Sequence, residues 1–459
     1  MFVGRERERA ALERAYEGRE AAFIPIYGRR RVGKSELILR FLEGKPAIYY
    51  LGKQAPPGLQ MQELAREAAA RLDEPLLAQI RLEGWRELLL AIEERHRGDG
   101  KLVIAIDEFQ WVCGASPELP SVLQELWDRR WRASGRVMLI LCGSYVGFME
   151  REVLGEKSPL FGRRTAQILL RPFDHIEAAR FHPKWSNVDR ARARFLVGGV
   201  PMYLMRFDPD RSIEQNIEAE LLGEFAPLRH EPEFLLREEL REVQLYHAVL
   251  RAIADGRHGQ TEIARASDIP ERSVHYYLTQ LIELGYVARR YPLSRSKPSA
   301  RAVRYTIDDP LLRFWFRFVF PNLTYLTQMG AARAFKDRIK PELDSYFGGG
   351  FERLCREALG GLYAEEGVSA AFEVGEYWDK DVQIDVVGVR DDGWTDLGEC
   401  KWGSVRSAKA LAAELEAKVP KYPNPENATI GRRFFVRKKP SGALPDGRWA
   451  SLDELYELG

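Results

Sequence analysis

The chain has 459 residues, and its 69 Lys and Arg nearly balance its 68 Asp and Glu, which leaves a net charge of +1 at pH 7. This balance gives no overall attraction to nucleic acid, so any such contact depends on local clusters of basic residues. One hydrophobic core rarely serves so long a chain, and we therefore expect two to four domains.

The longest apolar runs, 102–106 and 137–142, have the length of strands and are too short to cross a bilayer. The N-terminus lacks the basic-then-apolar pattern of a signal peptide, so we expect a cytoplasmic protein without membrane contact. The four cysteines form no CxxC or Cys/His cluster. This argues against a structural zinc site or a disulfide scaffold.

Up to about residue 205, short apolar strands alternate with longer helical patterns, which is typical of a parallel α/β sheet. The predicted strands are Ile24–Tyr27, Ala47–Leu51, Leu102–Ile106, Val137–Cys142 and Gln167–Leu170. We predict an α/β multidomain fold with five segments, which are a sheet domain (1–205), a helical segment (206–237), a winged helix-turn-helix (238–312), a helical linker (313–347) and a smaller α/β domain (348–459). Gly348–Gly350 are expected to act as a hinge, and the aromatic residues around Trp315 are expected to pack in a core.

The first strand runs directly into a GxxxxGK[ST] motif, Gly28 to Ser35, and a helical pattern follows. The glycines let the backbone N–H groups surround a β-phosphate, Lys34 neutralises phosphate charge and the Ser35 hydroxyl ligates Mg²⁺. The sequence therefore predicts a P-loop that binds ATP and Mg²⁺. Its predicted contacts are Gly28, Arg31, Val32, Gly33, Lys34, Ser35 and Glu36.

A second apolar strand ends in Asp107 and Glu108. Asp107 is placed to hold Mg²⁺ together with Ser35, and Glu108 is placed to polarise the water that attacks the γ-phosphate. A further strand ends at Ser144, which would lie near the γ-phosphate if this strand runs between the other two. The alternative is that Ser144 is only a turn residue.

These motifs, with Phe2-Val3-Gly4-Arg5-Glu6, the stretch Ser158–Thr165 and Gly199-Val200-Pro201, resemble the archaeal ATPase family within the STAND group of regulatory NTPases. The resemblance implies that Phe2, Val3, Gly4 and Arg5 border the adenine and that Pro201 closes over the base. It also implies that Arg163 or Arg164 reaches a γ-phosphate, in the same subunit or a neighbouring one. Surface salt bridges are the alternative for these two arginines.

A helix-turn-helix pattern follows at Thr261–Leu284, and after it come two strands of a wing, Val287–Tyr291 and Arg301–Thr306. The wing is basic, with no acidic residue between Leu284 and Thr306. Basic wings beside a recognition helix suit phosphate and groove contacts, although winged helices also bind proteins or report nucleotide state. The candidate DNA contacts are Arg272, Ser273, Tyr276, Arg289, Arg290, Arg295, Lys297 and Arg301.

In the last segment, Asp385 lies on one predicted strand, and Glu399 and Lys401 lie on one face of the next. The pattern resembles the PD-(D/E)xK nuclease superfamily, without a proline before the aspartate. The resemblance implies that Asp385 and Glu399 bind Mg²⁺, that Lys401 orients the attacking water and that Glu352 adds a nearby acid.

Together these features predict an ATP-hydrolysing STAND-type switch that is coupled to DNA binding and Mg²⁺-dependent DNA cleavage. The rival hypothesis is a regulatory or signalling ATPase whose nuclease-like domain is inactive and only binds DNA or protein. A translocating motor is a third hypothesis. The oligomeric state stays open, with a homo-oligomer as one alternative.

Overall fold

The computed structural model describes residues 2–79, 83–296, 298–299 and 302–458. The chain divides into two compact units, of which the first ends at Pro172 and the second begins at Phe173. Within the described ranges, no helix is both long enough and apolar enough to cross a membrane.

A parallel sheet forms the centre of the first unit. Its strands are β1 (Ala22–Tyr27), β2 (Ala47–Leu51), β3 (Leu102–Asp107), β4 (Val137–Gly143) and β5 (Ile168–Leu169). Their spatial order is β2-β3-β4-β1-β5, and all neighbours run parallel. The predicted α/β sheet is confirmed, and β4 lies between β3 and β1, which was the condition for the predicted position of Ser144 near the γ-phosphate.

Every residue of β1, β3 and β4 is buried, as expected for a parallel sheet that is covered on both faces. Phe23 packs into one core cluster and its neighbour Ile24 into another, because successive strand residues point to opposite faces. The helices of this unit are α1 (Glu6–Glu17), α2 (Lys34–Leu42), α3 (Pro57–Leu72), α4 (Trp85–Arg95), α5 (Phe109–Ala115), α6 (Leu119–Leu126), α7 (Arg132–Ser134) and α8 (Val146–Phe148).

The second unit begins with helices and a winged helix-turn-helix. The helices before the wing are α9 (His175–Ala179), α10 (Asn187–Val197), α11 (Pro201–Leu204), α12 (Ile213–Asn216), α13 (Pro227–Glu239), α14 (Val243–Ala254), α15 (Gln260–Ser267) and α16 (Glu271–Glu283). The wing is the antiparallel pair β6 (Val287–Arg290) and β7 (Arg304–Ile307). Helices α15 and α16 confirm the predicted helix-turn-helix.

A second sheet follows, with strands β8 (Phe372–Trp378), β9 (Gln383–Arg390), β10 (Trp394–Lys401), β11 (Thr429–Val436) and β12 (Arg448–Ser451). Its order is β12-β11-β10-β9-β8, in which β8, β9 and β10 are antiparallel and β10, β11 and β12 are parallel. The remaining helices of the unit are α17 (Pro310–Phe314), α18 (Leu323–Met329), α19 (Ala331–Ala334), α20 (Lys340–Glu365), α21 (Ala408–Lys418) and α22 (Leu452–Glu457).

Shorter helical turns extend or connect these elements. The π-helical turns are Trp127–Trp131, Met149–Val153, Ile217–Leu222, Trp315–Val319 and Phe335–Ile339, and the 3₁₀ turns are Pro75–Gln79, Phe320–Asn322 and Val419–Lys421. Phe314, Trp315, Phe316 and Phe318 are buried, so the prediction that these aromatic residues pack in a core is confirmed.

The predicted hinge at Gly348–Gly350 is wrong, because these glycines lie inside the continuous helix α20. A Cβ atom at Gly350 would lie 2.5 Å from the ring of Phe195, which belongs to α10. The glycine therefore lets α10 approach α20 closely. The close packing of α10 against α20 explains why glycine, a poor helix former, occurs at position 350 inside this helix.

Candidate functional site

The P-loop connects β1 to α2 through glycines with positive φ angles. Gly28 has φ 150° and Gly33 has φ 91°, conformations that a residue with a side chain rarely adopts. A Cβ atom at Gly28 would also lie 2.2 Å from the carbonyl oxygen of Leu170, beside β5. Glycine at position 28 is thus required by both the turn and the neighbouring backbone.

Lys34 is the first residue of α2 and is buried. Its Nζ donates hydrogen bonds to the carbonyl oxygens of Gly28 at 2.8 Å and Arg29 at 2.9 Å, so the loop encloses the ammonium group. Burial lowers the pKa of Lys34. A buried cation beside a helix N-terminus favours a bound phosphate, because the phosphate oxygens would replace the hydration that the ammonium group loses on burial.

Two oxygen donors meet at the end of β3. The Ser35 hydroxyl donates to Asp107 Oδ2 at 2.5 Å, and the Tyr49 hydroxyl donates to the same oxygen at 2.7 Å. Burial and the nearby Asp107 charge raise the pKa of Tyr49, which keeps the phenol protonated as a donor. The hydroxyl of Ser35 and the carboxylate of Asp107 are the hard oxygen ligands that Mg²⁺ prefers, so the residues fit the predicted ion.

Glu108 adopts φ 48°, a left-handed conformation that is uncommon for a residue with a side chain. Its Oε2 accepts a hydrogen bond from the Ser144 hydroxyl at 2.7 Å and another from the Gln110 side-chain amide. Gln110 Nε2 also donates to Ser144 Oγ at 3.2 Å. The two polar neighbours orient the Glu108 carboxylate just after β3, and its role as a general base stays a prediction.

The N-terminal segment is anchored next to the P-loop by Arg5. Its guanidinium is buried and donates to the carbonyl oxygens of Val32 at 3.0 Å and Arg171 at 2.7 Å. Arg5 thus braces the loop through its backbone. Adenine contacts by Phe2, Val3, Gly4 and Arg5 stay predictions, as does a nucleotide contact of the exposed Glu36.

Arg163 and Arg164 occupy different surroundings in the first unit. Arg163 forms an ion pair with Asp128 at 2.7 Å and donates to the carbonyl oxygen of Pro159 at 2.8 Å. The Arg164 guanidinium lies 3.5 Å from the carbonyl oxygen of Leu154. The Asp128 pair corresponds to the salt-bridge alternative, and a γ-phosphate contact of either arginine stays a prediction.

In the second unit, Asp385 of β9 and Glu399 of β10 are both buried. The backbone N–H of Cys400 donates to Asp385 Oδ2 at 3.0 Å, which fixes that carboxylate beside β10. Burial and the charge of Glu352 raise the pKa of Asp385 to about 6. Burial and Asp385 likewise raise the pKa of Glu399. Crowded, poorly hydrated carboxylates of this kind gain from a bound cation.

Two ammonium groups contact Glu399. Lys418 Nζ lies 2.5 Å from Oε2, and Lys401 Nζ lies 3.2 Å from Oε1 and 3.1 Å from Glu414 Oε1. The described residues contain no group of three or more His, Cys, Asp or Glu side chains arranged to hold a metal ion. A metal contact of Asp385 and Glu399 stays a prediction, and Lys418 is a partner of Glu399 that the sequence did not predict.

Three family models match successive parts of the chain. Residues 2–207 match a family described as an ATPase domain found predominantly in Archaea. Residues 247–290 match the IclR helix-turn-helix domain, and residues 315–413 match a family of archaeal and bacterial proteins of unknown function. An uncharacterised protein of Methanocaldococcus jannaschii is 30% identical over 422 residues, covering 91% of this chain and 92% of that protein.

The chain belongs to the archaeal-type P-loop ATPases. It is an ATP-hydrolysing enzyme. An uncharacterised ATP-binding protein of the same organism is 53% identical over 45 residues, which are 10% of this chain and 76% of that protein. The Walker-type ATPase of Pyrococcus abyssi superposes with a TM-score of 0.51 at 22% identity, covering 69% of this chain and 96% of that chain. At this level of identity, the similarity to the Pyrococcus abyssi structure shows a shared fold and nothing more.

The candidate DNA contacts of this archaeal-type ATPase fall into two groups. Arg272, Tyr276 and Arg289 are exposed on α16 and the wing, and Ser273 lies beside them. Arg290 instead pairs with Asp308 at 3.1 Å. Arg295 pairs with Glu426 at 2.8 Å. DNA contact by the last two stays a prediction that requires these pairs to open, and Lys297 and Arg301 lie outside the described residues.

Sequence reasoning missed Tyr49, Gln110 and Lys418. Tyr49 lies on β2 and reaches Asp107 only because β2 pairs with β3. Lys418 is the last residue of α21 and reaches Glu399 across a separation of 19 positions in the chain. Gln110 carried a local signal, since it follows Glu108 within the turn into α5.

Proposed function

We propose that this ATPase is a STAND-type nucleotide switch that binds DNA through its winged helix and cleaves it at the Asp385–Glu399 site with Mg²⁺. The proposal keeps the five predicted segments as its working modules. The observation that carries it is the pair of buried carboxylates flanked by Lys401, with the pKa of Asp385 raised to about 6. Crowded carboxylates favour a nearby cation, and Lys401 and Lys418 supply this charge to Glu399 when no metal is bound.

In the ATPase module, Lys34 and the P-loop N–H groups would bind the phosphates, and Ser35 and Asp107 would hold Mg²⁺. The ion would neutralise charge on the β- and γ-phosphates. Glu108 would accept a proton from the attacking water while Ser144 and Gln110 orient its carboxylate. Tyr49 would hold Asp107 in place by donating to Oδ2.

In the C-terminal module, Asp385 and Glu399 would hold Mg²⁺, which would activate water and offset charge on the scissile phosphate. Lys401 would orient that water. The sheet supports this role, because β9 and β10 are antiparallel neighbours and Asp385 and Glu399 lie at the same end of this pair.

Contacts within the second unit support coupling between the modules. Trp402 follows Lys401 directly, and its ring lies 5.5 Å from the ring of Phe195 on α10. Helix α10 leads into Gly199-Val200-Pro201, the segment for which the resemblance predicts adenine contact. A movement of α10 would therefore reach Lys401 through packed aromatic rings.

One observation favours the rival hypothesis, in which the C-terminal module binds DNA or protein without cleavage. Both oxygens of Glu399 already contact ammonium groups, with Lys418 at 2.5 Å and Lys401 at 3.2 Å. A metal ion would have to displace Lys418. A site that keeps this lysine in place would bind anions and leave DNA intact.

The deciding experiment measures cleavage of single-stranded, duplex and branched DNA with Mg²⁺ or Mn²⁺, with and without ATP. Wild type is compared with Glu399→Gln, Lys34→Ala and the matched control Asp391→Asn, an exposed acid at the end of β9. Cleavage lost in Glu399→Gln but kept in Asp391→Asn supports the nuclease, and loss in Lys34→Ala as well supports ATP control. No cleavage of any substrate, with ATP hydrolysis intact, would favour the rival.

A further inference from the structure

A cleft of about 500 Å³ opens in the second unit between the winged helix and α20. Arg290 and Thr306 of the wing line one side, and Tyr346, Gly349 and Glu352 of α20 line the other. This volume falls within the range of about 300–1,000 Å³ that is typical of small-ligand sites. The cleft therefore has room for a nucleotide-sized group.

Guanidinium groups dominate this cleft. Among the lining residues that the structure describes, three glutamates accompany five arginines, which are Arg290, Arg313, Arg317, Arg353 and Arg356. Asp308 accepts from both Arg290 and Arg353. Burial and the charge of Arg356 lower the pKa of Arg290, which reflects the crowding of positive charge.

Arg313 differs from the other four arginines. Its guanidinium lies over the ring of Tyr346 at 5.0 Å, and its contacts to Tyr346 Oη and to the carbonyl oxygen of Phe195 are both long, at 3.4 Å. No carboxylate in the described part of the chain lies within ion-pairing distance of it. The ring orients this cation without neutralising it, which leaves its donors for an anion.

Gly349 forms an open part of the wall. A Cβ atom there would meet nothing within 4 Å, so packing does not require glycine at this position. The same holds for the neighbouring Gly348, which does not line the cleft. The bare backbone at Gly349 leaves room for a ligand beside α20.

The cleft leads toward the carboxylate site. Glu352 lines it, and the charge of Glu352 is one cause of the raised pKa of Asp385. Arg356, another lining residue, donates to the carbonyl oxygen of Asp385 at 2.7 Å. An extended ligand held by Arg313 would thus be directed along α20 toward Asp385.

We propose that the cleft binds the phosphate groups of a single nucleic-acid strand and guides that strand to Asp385 and Glu399. Arginine is suited to this ligand because its planar guanidinium can donate two parallel hydrogen bonds to the oxygens of one phosphate. The binding part stands on the cleft alone, and the guiding part rests on the proposed nuclease function.

The test measures fluorescence anisotropy of a short labelled single-stranded oligonucleotide with the full-length protein in EDTA, so that no cleavage occurs. Arg313→Gln should weaken binding about tenfold and reduce the slope of log affinity against log salt by about one. Arg333→Gln, an exposed arginine on α19, is the matched charge control and should bind as wild type does. Equal affinities for wild type and Arg313→Gln would overturn the proposal.

A second pair of variants tests the space itself. Gly349→Leu should fill the cleft and weaken binding at least fivefold, whereas Gly348→Leu should leave affinity unchanged. Equal effects of the two leucines would overturn the proposal, as would displacement of the strand by equimolar thymidine monophosphate, which indicates a free-nucleotide site. Normal strand binding without cleavage would refute only the nuclease and leave the cleft assignment standing.

Discussion

Lys418 Nζ lies 2.5 Å from Glu399 Oε2, and the Glu399 side chain is only 3% exposed. In the proposed nuclease site, a metal ion held by Glu399 would have to displace this ammonium group. Because an unpaired buried charge is costly, the lysine stabilises Glu399 whenever no metal is bound. Under the proposed nuclease function, a metal ion from solution would therefore compete with the cation that α21 already supplies.

Replacement of Lys418 tests this competition. Lys418→Gln should tighten Mn²⁺ binding at the Asp385–Glu399 site, because the ion no longer has to displace an ammonium group. Isothermal titration calorimetry of the nucleotide-free protein measures the change. Lys421→Gln, an exposed lysine just beyond α21, is the control, and weaker Mn²⁺ binding in Lys418→Gln would contradict the assignment.

Replacement of Glu108, the proposed general base, should separate ATP binding from ATP hydrolysis. Glu108→Gln should lower kcat by about 10²–10⁴-fold while the Kd for ATP changes little. Ser144→Ala should have a smaller effect, since Gln110 still donates to Glu108. Phosphate release and binding of a fluorescent nucleotide measure the two quantities, and an unchanged kcat in Glu108→Gln would exclude this role.

Tyr49→Phe removes one of two donors to Asp107 Oδ2 while it keeps the ring. Loss of one buried hydrogen bond should lower the free energy of unfolding by about 1 kcal/mol. We expect a higher Mg²⁺ concentration for half-maximal ATPase activity, because Asp107 is less well positioned. Tyr50→Phe on the same strand is the control, and an unaltered Mg²⁺ dependence in Tyr49→Phe would show that the phenol is only structural.

The raised pKa of Asp385 predicts a pH dependence of stability. The pKa of this carboxyl group rises from an ordinary 3.8 to about 6, so the folded state binds the proton more tightly than the unfolded state does. Its contribution is fully present below about pH 4 and is lost as the pH rises through about 6. The shift corresponds to roughly 3 kcal/mol.

Comparison with Asp385→Asn isolates this group. The stability of wild type relative to the asparagine variant should fall between about pH 4 and about pH 6 and then level off. Denaturant unfolding without divalent metal measures the difference. A constant difference across this range would show that the surroundings of Asp385 do not raise its pKa.

The glycines of α20 offer a matched test of helix packing. Gly348→Ala should stabilise the protein by about 0.5–1 kcal/mol, because glycine is a poor helix former and nothing lies near the added methyl group. Gly350→Ala should destabilise it by about 1–3 kcal/mol, because the methyl group would meet the ring of Phe195. Thermal unfolding of both variants measures the contrast, and similar shifts would argue against close packing of α10 and α20.

The parts of this protein that sequence predicts best are those in which local chemistry dictates the backbone. The P-loop is one such part, because Gly28 and Gly33 are needed for the turn before a lysine that opens a helix. The helix-turn-helix is another, since the inner positions Val274, Leu278 and Leu281 repeat with helical spacing and are buried.

The failures have a common physical cause in long-range packing. Gly348–Gly350 resemble a hinge locally, but Phe195 from a distant helix packs against Gly350. Tyr49 and Lys418 carry no motif and gain their roles only when β2 and α21 reach the acids. Arg295 resembles a free wing cation, yet it contacts Glu426 and the carbonyl oxygen of Arg390.

The wing has a second partner besides any nucleic acid. The N–H of Leu293 donates to the carbonyl oxygen of Glu376 at 2.8 Å, and Glu376 lies on β8, the terminal strand of the second sheet. An open sheet edge invites pairing with other chains, and the wing covers part of this one. A C-terminal fragment expressed without the wing would expose this edge strand and would tend to aggregate. The winged helix and the second sheet are therefore expected to occur together when this domain is found in other proteins.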